Sequence, residues 1–432
     1  MLEHQASMTA AGGVAMVAVI VIAYNVFAKR LGGWNLTAPI VLMAAGLALS
    51  PLLGGGSSSH DALKVLAEVT LAIVLFTDAA GVRPREIGSD AGPVSRLLLI
   101  GLPLTIIFGT WFASVLWPAM PFAAVLLIGS ALAPTDAALG AATVLNKAVP
   151  ARVRRLLNVE SGLNDGLATP VVLFAIAALA GQEGLSPRTS IVEAVVELAI
   201  GLGVGVAVGL GAGRALFWSK LRGLSSGRGR RVAVLLLPIL AYALATVVSG
   251  NGFIAAFVGG TMFAAAFRKD TNAQLELAEG VADPLGAITW LAFGALIIPE
   301  LLPGLDWRTV VFAVASLTVV RMLPVALSLI GAGFQPRTVA FVGWFGPRGL
   351  ASVVFSLIAL ESLAGNEMLS QILATTTLTI ILSVVLHGIT AGWGARTYGA
   401  WADATRPPAE TAVTSEPSGR GPMAAASHPA GD

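Results

Sequence analysis

Apolar residues are gathered along this chain into runs of about twenty, the length with which an α-helix crosses a bilayer. Short segments with Gly, Pro and charged residues separate the runs, as is typical of loops. The pattern predicts an all-α polytopic membrane protein with about thirteen transmembrane helices. The predicted spans are 14–28, 36–53, 62–80, 94–117, 121–145, 156–180, 190–214, 231–250, 252–268, 273–298, 307–330, 337–360 and 368–395.

Basic residues outside the spans predict the orientation. With the N-terminus outside, the predicted cytoplasmic loops hold most of them, including Lys29, Arg30 and the group between Arg214 and Arg231. The external segments hold only Lys64, Arg188 and Arg308. By the positive-inside rule, we expect a multi-pass protein of a bacterial inner membrane with its C-terminus in the cytoplasm. This orientation requires an odd number of spans.

The two ends of the chain differ from the predicted membrane transport domain, 14–395. Residues 1–13 form a predicted short external N-terminus without Lys or Arg, so the first apolar run is expected to be a retained helix rather than a cleaved signal peptide. Residues 396–432, rich in Pro, Ala, Ser and Gly, are predicted to be a disordered cytoplasmic tail.

Composition narrows the functional classes. Hydrophobic residues make up 56% of the chain and charged residues 12%, against about 25% charged in soluble domains. The absence of cysteine excludes disulfides and thiolate metal sites, and only four histidines are present, so no cofactor is expected. The net charge of +2 argues against a nucleic-acid partner.

Ionisable residues inside apolar spans are expensive and often functional. Asp136 follows Pro134 and Thr135 in the fifth span. Because proline removes a helical hydrogen bond, the span is expected to break into two half-helices and free oxygen atoms to bind an ion. Thr135 or Asp136 capping the second half-helix is the alternative, and capping is compatible with ion binding.

A second polar cluster lies in the sixth span. On a helix, Glu160 and Asn164 share one stripe, and Ser161 and Asp165 share the adjoining one. Four oxygen-bearing side chains on one face at membrane depth favour a hard cation such as Na⁺. A cluster of helix caps at the membrane edge is the alternative interpretation.

Two arginines lie in the later spans. A buried Arg321 needs an acidic partner, for which Glu160 is the candidate, unless Arg321 extends to the cytoplasmic interface. Arg348 lies between Pro347 and Gly349 in a second interrupted span. Two broken spans in the two halves of a chain indicate the midplane site of an inverted-repeat transporter. Arg348 either serves that site or compensates the C-terminal end of a half-helix.

Three motifs in this order resemble the electroneutral branch of the cation/proton antiporters, the NhaP and mammalian sodium/hydrogen exchanger type. They are Pro134-Thr135-Asp136, Glu160-Ser161 with Asn164-Asp165, and Gly346-Pro347-Arg348-Gly349. The resemblance extends over residues 14–395. It implies thirteen helices in an NhaA-like fold, whose inverted repeats contain two crossed broken helices. It also implies a homodimer, with a core at about 94–180 and 307–395 and a dimerisation domain at about 14–80 and 190–298.

The resemblance also implies roles for single residues. Asp165 would carry the transported cation or proton, and Asp136, Ser161 and Thr135 would complete the ion shell. Glu160 would lie close by, paired with Arg321. Asn164 stands where electrogenic relatives have a second aspartate, which implies one cation exchanged for one proton.

The expected mechanism is competition at one carboxyl group. Burial disfavours a bare charge on Asp165, so either H⁺ or a monovalent cation (Na⁺, Li⁺ or K⁺) neutralises it, but not both.

A sodium-coupled symporter of organic solutes on a related fold is the main alternative. An intramembrane aspartyl protease would need a Gly-x-Gly-Asp element, which the chain lacks, and a serine protease would need a buried His, for which His387 is the only candidate. A channel would not explain a buried ion pair.

Overall fold

The computed structural model describes residues 2–34, 36–53, 58–82, 90–136, 139–140, 143, 146–181, 187–267 and 271–412. All regular structure within these ranges is helical. The helices are α1 (Leu2–Gly33), α2 (Ala38–Leu53), α3 (Ser58–Gly81), α4 (Ala91–Leu116), α5 (Phe122–Ala131), α6 (Ala151–Ala180), α7 (Pro187–Leu221), α8 (Gly227–Val247), α9 (Gly252–Phe267), α10 (Thr271–Gly304), α11 (Trp307–Ser328), α12 (Pro336–Trp344), α13 (Leu350–Ser362) and α14 (Leu369–Thr405).

The helices follow the predicted apolar spans, and the all-α membrane fold is confirmed. Within the described ranges, eight helices are long and apolar enough to cross a membrane, and four shorter apolar helices accompany them. The chain is therefore a multi-pass membrane protein. The number of crossings remains a prediction, because length and composition alone do not place a helix across the bilayer.

Two spans are interrupted where proline stands in the sequence. After α5 ends at Ala131, residues 132–136 are not helical. The second interruption, 345–349, separates α12 from α13 and contains Pro347. Backbone groups freed at such breaks need new partners inside the protein, since lipid offers none. Both breaks are buried and lie against each other, as the contacts described below show.

Glycines allow the closest helix packing. An ideal Cβ on Gly205 of α7 would lie 2.7 Å from the Ala255 carbonyl oxygen of α9, and one on Gly209 would lie 2.4 Å from that of Gly259. Such small residues let the two helix backbones meet directly, as in many membrane proteins. The predicted division into a core and a dimerisation domain stays a prediction.

Both ends of the predicted transport domain differ in the structure. α1 begins at Leu2, within the segment expected to precede the first helix. α14 continues to Thr405, and Glu410 beyond it is buried, so the predicted start of a disordered tail at 396 is wrong. Hydropathy marks only the membrane-embedded part of a helix, which can continue into water. Residues 413–432 of the predicted tail lie outside the described residues.

Candidate functional site

The first interrupted span is bound to the second one through Asp136. Its backbone N–H donates to the Pro347 carbonyl at 2.8 Å. Its carboxylate accepts from the Leu350 N–H through Oδ2 at 3.0 Å and from the Leu139 N–H through Oδ1 at 3.3 Å. The carboxylate thus lies at the N-terminal end of α13, where the helix dipole and the unpaired N–H groups favour negative charge. Asp136 thus caps α13 and also binds the backbone N–H of Leu139, which lies in a turn of its own span.

The contact between these spans leaves no space for a side chain at Gly349. An ideal Cβ on that residue would lie 2.0 Å from the Asp136 Cβ and 2.1 Å from its Oδ2. Gly346 is similarly confined, because its Cβ would lie 2.8 Å from the Arg321 Nε and 2.9 Å from the Thr135 Cγ2. The glycines of the second interruption therefore permit the close approach of the two breaks.

Three polar side chains join the first interruption to α6. The Thr135 and Ser161 hydroxyl oxygens are 3.0 Å apart, and the Asn164 Nδ2 donates to the Thr135 Oγ1 at 2.7 Å. All three side chains are buried. The predicted Thr135, Ser161 and Asn164 thus form one connected group of oxygen-bearing side chains. The Asn164 Oδ1 has no hydrogen-bond partner in the described part of the chain and remains available as an acceptor.

Asp165 lies in α6, one helical turn after Ser161, and only 7% of its surface is exposed. Its backbone carbonyl accepts from the Thr169 hydroxyl at 2.7 Å, a contact within the helix. The neighbouring Gly166 packs against the ring of Phe257 in α9, since an ideal Cβ would lie 2.1 Å from the Phe257 Cδ2. Phe257 was not predicted from the sequence, because an aromatic residue in an apolar span carries no distinguishing signal.

Glu160 and Arg321 form a buried ion pair. The Arg321 Nη2 lies 2.6 Å from the Glu160 Oε1, and each side chain is 2% exposed. Arg321 therefore does not extend to the membrane interface. Because the charge of Glu160 is opposed by Arg321, its carboxylate is poorly suited to bind a further cation.

Arg348 is fully buried and binds backbone carbonyl groups just after α5 and in the middle of α11. Its Nη1 donates to the Ala133 carbonyl at 3.1 Å, just after α5, and its Nη2 donates to the Ser316 carbonyl at 3.0 Å in α11. α11 is distorted two residues later, at Thr318, with φ −114° and ψ −95°. The guanidinium thus binds a buried carbonyl group at each of these irregular places, which fits the counter-charge interpretation.

α14 supplies two further partners, Ser383 and His387, for the second interruption. The Ser383 hydroxyl accepts from the Arg348 backbone N–H at 2.7 Å. One turn later, the His387 Nε2 lies 2.7 Å from the carbonyl oxygen of Trp344, the last residue of α12. Ser383 and His387 thus hold both sides of the second interruption. Their spacing of four residues in an apolar helix was the available signal.

The arrangement suits a small hard cation better than a transition metal. In the described ranges, no group of three or more His, Asp or Glu residues is placed to hold a metal ion. The described contacts instead bring together the hydroxyl groups of Thr135 and Ser161 and the side-chain amide of Asn164. Oxygen ligands of this kind are typical for alkali cations, which bind without thiolate or imidazole.

Comparison with known proteins supplies a family and relatives. The family described as the transmembrane region of sodium/hydrogen exchangers matches residues 15–396. A Na⁺/H⁺ antiporter of Schizosaccharomyces pombe is 28% identical over 308 residues, covering 64% of this chain and 65% of the relative. The K⁺/H⁺ antiporter NhaP of Alkalimonas amylolytica is 26% identical over 386 residues, which cover 86% of this chain and 63% of that relative. The chain thus spans less than two thirds of these relatives.

A solved structure has the same fold. The sodium proton antiporter MjNhaP1 from Methanocaldococcus jannaschii at pH 8 superimposes with a TM-score of 0.75. The match covers 90% of this chain and 99% of that protein, at 18% sequence identity. At this identity the likeness concerns the fold.

Proposed function

The chain belongs to the sodium/hydrogen exchanger family, and from this membership we propose that it exchanges a small monovalent cation for H⁺ across the membrane. Relatives are named for Na⁺ and for K⁺, so the proposal covers Na⁺, Li⁺ and K⁺. The relatives give no support to the alternative of a solute symporter. The protein would work in a bacterial inner membrane as a homodimer, with the N-terminus outside.

One observation carries the proposal for the site. Asp165 is a buried carboxylate on the same helix face as Ser161, whose hydroxyl contacts Thr135 at the first interruption. Away from water, a carboxylate is strongly disfavoured as a bare charge and takes up a counter-ion or a proton. In this proposal Asp165, Asp136, Ser161 and Thr135 form the cation shell, and Asn164 orients Thr135.

Exchange follows from the competition of two ligands for one charge. With Na⁺ bound, the carboxylate of Asp165 is neutralised by the ion; after Na⁺ leaves, a proton binds the same oxygen atoms. Only the neutralised site crosses the membrane at low cost, because moving an uncompensated charge through the bilayer is expensive. Because the one carboxylate carries one cation in one direction and one proton in the other, the exchange is electroneutral, with one cation exchanged for one proton.

The remaining charges of the site keep a fixed role in this mechanism. Glu160 and Arg321 neutralise each other beside the cation shell and so add no net charge to the moving core. Arg348 holds the two interruptions together through the Ala133 carbonyl, and Asp136, itself a member of the shell, adds the bond to the Leu350 N–H. The cation shell is thus built on a rigid frame, which positions its oxygen atoms before the ion arrives.

Collapse of a pH gradient in proteoliposomes tests the proposal. Na⁺, Li⁺ and K⁺ are added in turn while the membrane potential is clamped with an ionophore for another ion. We expect at least one cation to dissipate the gradient at a rate independent of the potential. Asp165→Asn should abolish exchange in a folded protein, whereas the same change at the exposed Asp403 should not. Cation-dependent exchange retained by Asp165→Asn would refute the assignment.

A further inference from the structure

The chain after α14 turns back onto the protein. Arg406 adopts a left-handed conformation, with φ 42° and ψ 55°, and ends the helix. Pro407 is buried, and Glu410 is 1% exposed although it is charged. We call residues 406–411 the latch. A charged side chain is buried at such a position only when specific partners compensate it.

Glu410 binds the beginning of α12. Its Oε1 accepts from the Gln335 backbone N–H at 2.7 Å and from the Thr338 hydroxyl at 2.6 Å. Thr338 also lies 2.9 Å from the hydroxyl oxygen of Tyr398 in α14. Gln335, at the N-cap position of α12, provides no side-chain cap of its own. Glu410 therefore supplies from the latch the carboxylate that a helix N-terminus favours.

A second anchor joins the latch to α6 and α4. The Arg152 Nη1 donates to the Ala409 carbonyl, and its Nε donates to the Asp90 Oδ1 at 2.5 Å. Arg152 lies in the first turn of α6, and Asp90 immediately precedes α4. The Arg152 guanidinium also lies over the ring of Phe334, 5.2 Å from its centroid. Four helices therefore meet at the latch on one side of the protein.

These helices carry the candidate site. α6 holds Ser161 and Asp165, α12 leads directly into the second interruption, and the end of α14 follows His387. α12 has only the residues Pro336–Trp344, and a helix this short is marginal without external partners. A fixed N-terminus is thus important for the position of its C-terminus at the site.

We propose that Glu410 is a positioning residue of the transporter: by capping α12 through the latch, it keeps the half-helix and α6 together as one unit while the site crosses the membrane. The proposal rests on the proposed exchange. Glu410 touches no transported ion, so the latch acts on the rate of the crossing rather than on cation affinity.

Two pairs of variants test this role. For each variant, monodisperse protein is reconstituted into proteoliposomes, and the exchange rate per folded molecule is measured. A chain stopped after Thr405 lacks the latch, and one stopped after Ala412 keeps it and is the matched control. Glu410→Ala removes the acceptor, whereas Glu410→Gln keeps an oxygen that accepts both hydrogen bonds. We expect the first member of each pair to lower the maximal rate about fivefold with an unchanged cation KM, and the second to resemble the wild type.

A cross-link tests the latch independently of activity. An ideal Cβ on Gly333 lies 3.8 Å from the Ala409 Cβ, within the range of a disulfide, and the chain has no native cysteine. Gly333→Cys with Ala409→Cys should therefore cross-link under mild oxidation. Since Gly333 has φ +83°, the single Gly333→Cys variant is the control for backbone strain. The cross-linked protein should exchange as fast as the same protein after reduction.

The outcomes separate this proposal from the proposed exchange. A wild type without any cation/proton exchange would refute the exchange, while cross-linking would still report the latch. Wild-type turnover in Glu410→Ala, an equal loss in Glu410→Gln, or no cross-link would overturn the positioning role. Exchange that stops on cross-linking and returns on reduction would also overturn it, since the latch would then have to open.

Discussion

The Asp136 carboxylate accepts a 3.0 Å hydrogen bond from the backbone N–H of Leu350, so a residue of the first interrupted span caps the half-helix of the second. The same carboxylate also accepts a hydrogen bond from the Leu139 N–H in its own span. From the sequence, Asp136 was expected to bind an ion or to cap the second half-helix, two roles that are compatible. The structure shows the cap, and a place in the cation shell remains the proposed second role of Asp136.

Substitution of Asp136 separates the cap from the charge. Asp136→Asn keeps an acceptor for Leu350, so its melting temperature should stay near that of the wild type while its cation KM rises. Asp136→Ala removes the acceptor and should lose a further ~1 kcal/mol of stability. Thermal unfolding in detergent and exchange in proteoliposomes measure the two effects. Equal melting temperatures for the two variants would show that the cap contributes nothing.

Removal of Arg321 should mainly destabilise the protein. Arg321→Ala leaves Glu160 buried without its partner, which costs about 3–5 kcal/mol in comparable sites. The double variant Arg321→Met, Glu160→Leu leaves no buried charge and should be more stable than Arg321→Ala. Thermal unfolding of the three proteins measures the coupling. A normally stable and active Arg321→Ala protein would count against a role of this pair in the fold.

Arg348 should not tolerate lysine. Its two terminal nitrogens reach the Ala133 and Ser316 carbonyl groups separately, and a single ammonium does not span both. We expect Arg348→Lys to lower the melting temperature and the exchange rate. Arg396→Lys on the exposed side of α14 is the matched control and should change neither. If both variants behave alike, the forked geometry of Arg348 is not needed.

The contact of Gly166 with Phe257 should limit the side-chain volume beside Asp165. Gly166→Ala places a Cβ inside the present ring position of Phe257, so the ring or α6 must move. We expect slower exchange in Gly166→Ala and recovery when Phe257→Ala is added, because the second change frees the space. Exchange rates of the single and double variants measure this coupling. Purely additive losses would show that the two residues act independently.

Competition at Asp165 predicts the direction of the pH dependence. Protons and cations bind the same carboxylate, so a lower pH should raise the apparent cation KM and leave the maximal rate, at saturating cation, nearly unchanged. The initial rate as a function of cation concentration at several pH values measures this effect. A fall of the maximal rate at constant KM as the pH is lowered would indicate that the proton acts at a separate site.

The apolar runs by themselves determined the helices, because membrane helices form from local hydrogen bonds. Proline marked the two interruptions but did not decide them, since Pro170, Pro238 and Pro284 lie inside helices that continue past them. The partners across the fold depended on tertiary structure. No spacing in the sequence brings Asp136 to Leu350, His387 to Trp344, or Phe257 to Gly166. The same holds for Glu410. The composition of its segment predicts disorder, but its carboxylate accepts from the backbone N–H of Gln335 at the start of a distant helix. Such contacts satisfy buried polar groups only after helices far apart in sequence have packed together.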